Sequence, residues 1–393
     1  MKRNSYIFTL AFVGMIAAFG PFVTDFYLPA LPALSDYFGA PASMIQLSLT
    51  VGMIGLGTGQ LIVGPLSDRY GRRMPLLLSL AAFAAATAGC LVTDSIGRFL
   101  LYRFVQGLAG AGGVVISRSI ATDLYAGREL ARFFSVLGSV QGIVPVAAPV
   151  IGGLLLAVTD WKGIFAVLLG IGIALLVMTL AFRESLAQRS RSVAASFKGY
   201  APVLRNRRSM RYMGVQAMAM GVMFSYISAS PFIFQQQYGL SPVAYSLCFG
   251  LNAFGIMAGS LLVLRSRSSE RGLAIGTRGF FVMALATAIV LTQGGSVWLI
   301  EASFFLLMVM LGTIMPTSTT LALEPLREYS GSASAALGFL SFLVGGICSP
   351  LVGMGDMAVS TAAVIALCSL FTLLLARGAD HPHAEIRTNE HLS

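Results

Sequence analysis

The chain has 393 residues, of which 56% are hydrophobic and 11% are Asp, Glu, Lys or Arg, with a formal net charge of +10. A soluble globular protein carries roughly 25% charged residues, and so little charge cannot cover a water-exposed surface. That excludes a soluble enzyme, a disordered chain and a nucleic-acid-binding domain, and it points to a polytopic helical membrane protein.

The first element begins MKRNSYIFTLAFVGMIAAF, basic and then apolar, the order of a signal peptide. Its apolar run continues past any cleavage position and carries Asp25 and several prolines, so it reads as a retained span over 7–34. A span needs about 20 mostly apolar residues. The windows that follow are 43–65, 75–93, 98–121, 132–157, 163–182, 210–236, 241–264, 273–292, 297–322, 332–354 and 358–376, which makes twelve. Backbone groups in lipid must be satisfied internally, so each window is predicted to be a helix.

The basic residues orient the spans. One set of gaps holds 22 Lys and Arg, and the alternate set holds only Arg98 and Lys162. Cytoplasmic loops carry the excess, so both termini are expected in the cytoplasm. The longest polar gap, 183–208, divides the spans six and six. The expected organisation is an all-α membrane protein. An N-terminal six-helix bundle (1–182) is followed by a basic linker (183–208), a pseudo-symmetric C-terminal six-helix bundle (209–377) and a polar tail (378–393). The halves look related at an offset near 200: Gly55 matches Gly255, and Gly59 matches Gly259. Parallel six-helix repeats are a transporter architecture, with substrate bound near the midplane between them. A receptor or channel does not predict such a repeat. An ATP-driven pump lacks its phosphate-binding loop here.

Several spans carry chemistry. Span one ends Thr24-Asp25-Phe26-Tyr27-Leu28-Pro29-Ala30-Leu31-Pro32. Asp25 lies within an apolar run, and its offset partner is Ser225, so the acid is not a feature of both repeats. The plainer alternative is a carboxylate facing the outer headgroups. After span two comes Gly64-Pro65-Leu66-Ser67-Asp68-Arg69-Tyr70-Gly71-Arg72-Arg73, which read blandly is a tight turn with topology charges. Asp123, at the cytoplasmic end of span four, could pair with one of Arg69, Arg72 or Arg73. Span four holds Arg103, with Gln106 on the same face three residues on. An arginine in a span is a functional-site hypothesis by default, with snorkelling to the outer headgroups as the alternative. Span five contains Pro145, Ala148, Pro149, Gly152 and Gly153: the prolines bend the helix and the glycines permit close packing. Polar groups within or at the ends of spans are candidate substrate contacts, namely Tyr27, Gln46, Gln60, Gln106, Tyr226, Gln235 and Asn252. Met218, Met220 and Met223 add adaptable apolar surface. Glu301 near the outer end of span ten is a second acid, with interfacial placement as its alternative. The four cysteines, Cys90, Cys248, Cys348 and Cys368, have no metal spacing and read as buried small hydrophobes. No metal and no cofactor is expected.

The loop after span two is similar to the loop signature of the major facilitator superfamily. The run around Arg103 resembles that superfamily's span-four motif, and span five resembles the antiporter motif of its drug exporters. With the Asp-x-Tyr-Leu-Pro-Ala-Leu-Pro run, the first half resembles the bicyclomycin/chloramphenicol resistance exporters, twelve-span drug:proton antiporters. Val144 and Ala148 stand where the antiporter motif usually has glycine. Ala17 stands where another branch has an acid. The resemblance implies a transporter, not an enzyme, that exports small neutral or amphipathic toxic compounds in exchange for protons, as a monomer in the bacterial inner membrane. Its implied partners are the drug, protons and the lipid bilayer, with no nucleic acid. It implies proton coupling through Asp25 and Arg103. It also implies a conformational latch made by Asp68, Arg69, Arg72, Arg73 and Asp123. A metabolite transporter of the same fold is the alternative.

Overall fold

The computed structural model describes residues 6–125, 129, 133, 144, 147–186, 200–263, 266 and 268–379. Among them every regular element is helical. Helix α1 (Tyr6–Asp25) is followed by a 3-10 turn (Leu28–Ala30) and α2 (Leu31–Phe38). Then come α3 (Ala42–Tyr70), α4 (Arg73–Val92), α5 (Ile96–Leu124), α6 (Ala147–Leu156) and α7 (Trp161–Ala181). After the short α8 (Tyr200–Arg205), α9 (Arg207–Pro231) continues into a π-helical turn, Phe232–Gln237. The last five are α10 (Pro242–Leu262), α11 (Ser269–Gln293), α12 (Val297–Leu323), α13 (Ser330–Leu351) and α14 (Met357–Ala379).

Ten of these helices are long and apolar enough to cross a bilayer among the described residues, and the pair Tyr6–Gly20 with Phe22–Phe38, bent by 40°, makes an eleventh. Helix α6 is the described part of the fifth predicted span; Pro145 lies outside the described residues. The elements therefore fall on the twelve predicted windows, and the fold is an all-helical twelve-span membrane bundle. Half of the linker (187–199) and most of the tail (380–393) also lie outside the described residues.

Span one departs from the expected continuous helix, and its prolines say why. Pro21 removes a backbone donor at the 40° bend. Pro29 cannot donate to the carbonyl four residues back, that of Asp25, and its ring clashes with that carbonyl. Helix α1 accordingly ends at Asp25, and Ala30 N donates to Tyr27 O at 2.9 Å to close the 3-10 turn.

The chain gathers into two compact units: Met1–Lys198 with Ile227–Ala253, and Gly199–Tyr226 with Phe254–Ser393. In the first, α3 crosses α5 with no side chains between the backbones. A Cβ at Gly55 would overlap the Phe104 carbonyl oxygen, one at Gly59 the Leu108 carbonyl and one at Gly107 the Gly52 carbonyl. In the second, α10 crosses α12 the same way: Gly259 abuts the Val309 carbonyl and Gly312 the Ile256 carbonyl. Small residues at such crossings let helix backbones approach closely where lipid supplies no hydrophobic drive.

Candidate functional site

The break in span one creates the site. The last carbonyls of a helix have no intrahelical donor, and Val23 O is one of those left by the end of α1. Arg103 of α5 reaches it, with Nη2 donating to Val23 O at 3.0 Å. Its Nη1 donates to Gln106 Oε1 at 2.7 Å. Gln106 Nε2 in turn donates to Thr87 Oγ1 at 2.7 Å, and the Thr87 hydroxyl donates to Phe83 O at 2.7 Å. The guanidinium carbon lies 4.1 Å from the Tyr27 ring centroid and 5.9 Å from that of Phe165. Tyr27 OH shares a 3.0 Å hydrogen bond with Ser48 Oγ. Gly52 lies alongside, where a Cβ would stand in ordinary contact with Nη2 at 3.5 Å.

Arg103 is fully buried at 0% exposure, so it faces the protein interior and not the outer headgroups. Among the described residues no ion pair meets it. A helix C-terminus carries partial negative charge and favours a cation. An aromatic face does the same. The charge is thus held by a carbonyl, an amide and two rings. Asp25 is buried two residues past Val23, at the end of the same helix. It makes no ion pair with Arg103. The structure brings the two to one helix terminus without joining them.

Helix α6 packs at that break. A Cβ on Gly152 would overlap the carbonyl oxygen of Phe26, the residue after Asp25, and one on Gly153 would overlap Ser246 Oγ. Ala148 and Pro149 are buried on the same helix. Gly152 therefore admits close approach to the unwound part of span one, and Gly153 to the start of α10.

A second cluster lies at the cytoplasmic ends. Arg72 makes ion pairs with both Asp68 and Asp123. Its Nε donates to Asp123 Oδ2 at 2.8 Å and its Nη2 to Oδ1 at 3.2 Å, while Nη1 reaches Asp68 Oδ1 at 2.5 Å and Ser67 Oγ at 2.8 Å. Burial pulls the Arg72 pKa down, and the bonds to Asp123 and Asp68 outweigh it, leaving it above the ordinary arginine value. Arg73 instead donates to the carbonyls of Thr179 and Leu180, in the last turn of α7. Arg69 stands in the last turn of α3.

The sequence reading missed Glu184. Its carboxylate accepts from Arg72 N at 2.9 Å and Arg73 N at 3.2 Å, at the start of α4. It also accepts from Ser185 N and Leu186 N. A carboxylate is favoured where helix N–H groups point outward. Ser185 Oγ donates to Asp123 Oδ2 at 3.0 Å, so the start of the linker is tied to the acid that pairs with Arg72. The only signal in the sequence was one acid ahead of a basic stretch.

The remaining candidates are dispersed. Gln46 Nε2 donates to Ser228 O at 3.1 Å and Gln235 Nε2 to Pro29 O at 3.1 Å. Asn252 Nδ2 donates to Cys248 O at 3.1 Å on its own helix. The Tyr226 ring lies 4.9 Å from that of Phe304. Tyr27 and Gln106 belong to the Arg103 network; Tyr226 and Asn252 do not. Glu301, in the second turn of α12, is buried.

A family model described as the Major Facilitator Superfamily matches residues 9–350. The chain belongs to the Major Facilitator Superfamily. This facilitator is 38% identical over 357 residues to YdgK of Bacillus subtilis, an uncharacterized MFS-type transporter, covering 88% of this chain and 89% of that one. It is 26% identical to a bicyclomycin resistance protein homolog of Haemophilus influenzae, over 95% and 94% of the two chains. A chloramphenicol resistance protein of Pseudomonas aeruginosa is 33% identical over 59% of this chain and 56% of its own. Among solved structures, the xylose transporter XylE from E. coli superposes with a TM-score of 0.74 at 13% identity, over 97% and 99% of the chains, a likeness of fold alone. The facilitator is a multi-pass membrane transporter.

Proposed function

We propose that this facilitator is a drug:proton antiporter of the bacterial inner membrane, exporting small neutral or amphipathic toxic compounds by alternating access. Its two six-helix halves meet at the 183–208 linker, and both termini face the cytoplasm. The observation that carries the reading is the helix end at Asp25, with a buried acid at the terminus and a buried arginine on its freed carbonyl. Relatives named for bicyclomycin, chloramphenicol and multidrug resistance support the substrate class.

Asp25 carries the proton. Desolvation favours its neutral form and approach of the Arg103 guanidinium favours the carboxylate, so a change in their separation between conformations loads and releases the proton. The drug need only favour the deprotonated state to be exchanged. One charge crossing ~100 mV supplies about 2.3 kcal/mol, roughly a 50-fold gradient. Asp25 and Arg103 nearly cancel, so neutral or zwitterionic compounds are better cargo than dications. The Arg72 cluster governs conformational exchange, and Tyr27, Gln46, Gln106, Tyr226 and Asn252 shape the binding region.

Expression in a pump-deficient bacterium, with growth scored against bicyclomycin, chloramphenicol and a set of dicationic dyes, tests the reading. Raised resistance to the neutral drugs is expected. No change against any compound, or a preference for the dications, overturns it.

A further inference from the structure

Two of the four cysteines, 20 residues apart in sequence, meet in space. Cys348 of α13 and Cys368 of α14 have their Sγ atoms 3.5 Å apart, both thiols are free, and both are buried. Gly221 of α9 faces them: a Cβ there would lie 3.1 Å from Cys348 Sγ and 3.3 Å from Cys368 Sγ. The sulfurs thus occupy the space that a side chain at position 221 would need. Cys90 and Cys248 have no cysteine partner among the described residues; Cys90 Sγ points at Gln106 Oε1, 3.9 Å away.

The separation selects a chemistry. A disulfide holds its sulfurs at about 2.05 Å. A linear two-thiolate metal with bonds of about 2.3 Å would hold them about 4.6 Å apart. With bonds of about that same length, a pyramidal centre whose two sulfurs subtend nearly a right angle spans about 3.3 Å. Trivalent arsenic and antimony are pyramidal in this way. We propose that Cys348 and Cys368 form a chelating site for trivalent arsenicals bearing one organic group. An arsonous acid R–As(OH)2 loses both hydroxyls, two As–O bonds giving way to two As–S bonds. The two thiol protons leave with the hydroxyls as two waters, and no atom changes oxidation state. The product ties α13 to α14 beside Gly221. An aryl group meets apolar surroundings there, with Val344 lining the same space at position 221.

The test uses the purified full-length protein in detergent, phenylarsine oxide and intact-mass measurement. One adduct per chain is expected. It should survive excess glutathione, which competes as a monothiol, and leave with dithiothreitol, which competes as a chelate. Cys348→Ser and Cys368→Ser should each lose the glutathione-resistant adduct, and Cys90→Ser and Cys248→Ser should retain it. In the wild-type protein the arsenical should also shield Cys348 and Cys368 together from maleimide on peptide mapping, which serves if a serine variant fails to fold. Absence of a glutathione-resistant adduct on the wild-type protein overturns the proposal. So does a resistant adduct that maps to Cys90 or Cys248, or one that persists unchanged in both Cys348→Ser and Cys368→Ser.

Discussion

The α3–α5 crossing of the first half and the α10–α12 crossing of the second share their glycine contacts and differ in what they enclose. Gly55 and Gly59 face the carbonyls of Phe104 and Leu108, and Gly255 and Gly259 those of Phe305 and Val309, so Phe304 stands where Arg103 does and Leu307 where Gln106 does. All four of these side chains are fully buried. The difference follows from the helix each crossing packs beside. In the first half α1 stops at Asp25 because of Pro29, and a freed carbonyl needs a donor. In the second half α9 runs unbroken through Ser225 to Pro231. Ala229 stands where Pro29 does, and the carbonyl at 223 is used within the helix. With that carbonyl used, phenylalanine and leucine fill the same positions. A buried arginine here goes with a broken helix.

Exchanging the two environments gives the largest expected effect. Phe304→Arg buries a guanidinium beside the unbroken α9, where the carbonyl at 223 has not been freed. A cost of about 3–5 kcal/mol is expected for an uncompensated buried charge, read as lost folded yield on size-exclusion chromatography. A well-folded Phe304→Arg protein would show that the break is not what accommodates Arg103.

Asp25→Asn tests the acid that the second half lacks. Drug-driven proton release from proteoliposomes is expected to fall to the level of empty vesicles, while melting temperature holds, since a buried charge is removed. Wild-type-like release would move coupling elsewhere, with the buried Glu301 next.

Arg103→Lys keeps the charge and loses the planar fork. Either Val23 O or Gln106 Oε1 is then left without its donor, at about 1–3 kcal/mol. Thermal unfolding in detergent measures it, and Arg103→Met should cost more because Val23 O loses its donor and Gln106 Oε1 keeps only the Cys90 thiol at 3.9 Å.

The cytoplasmic cluster gives the smallest changes in stability. Glu184→Gln weakens the anion at the start of α4, an effect of about 0.3–1 kcal/mol, visible as a small drop in melting temperature that salt diminishes. Asp68→Asn should change stability by less than about 1 kcal/mol, because its side chain is 45% exposed and Arg72 keeps Asp123. Transport should slow while equilibrium drug binding stays nearly unchanged. A large loss of binding in the purified Asp68→Asn protein would place Asp68 at the substrate and not at a latch.

Much of this was legible in the chain itself. Apolar length alone placed the spans, because a bilayer enforces a fixed thickness and internally satisfied helices. Helical spacing put Arg103 and Gln106 on one face, and they share a hydrogen bond. The group containing Arg72 and Asp123 was visible as complementary charge at two cytoplasmic ends, though not which arginine would pair. Pro29, four residues after Asp25, was in principle enough to stop the helix there. The chain was nonetheless read as one continuous helix, because hydropathy does not register backbone donors.

What only the tertiary structure decided involves partners distant in sequence. Glu184 reaches the α4 start from the far side of four spans, and its value lies in two backbone N–H groups that carry no sequence signature. Cys348 and Cys368 are unremarkable apolar residues until α13 and α14 pack with their sulfurs together. Arg103 is the sharpest case. The sequence determined that a cation sits in span four and that span one is interrupted by proline. That the cation meets the carbonyl freed by the interruption was decided by the α3–α5 and α1–α5 contacts. A helix end exposes its acceptors in every direction, and only packing selects which donor arrives.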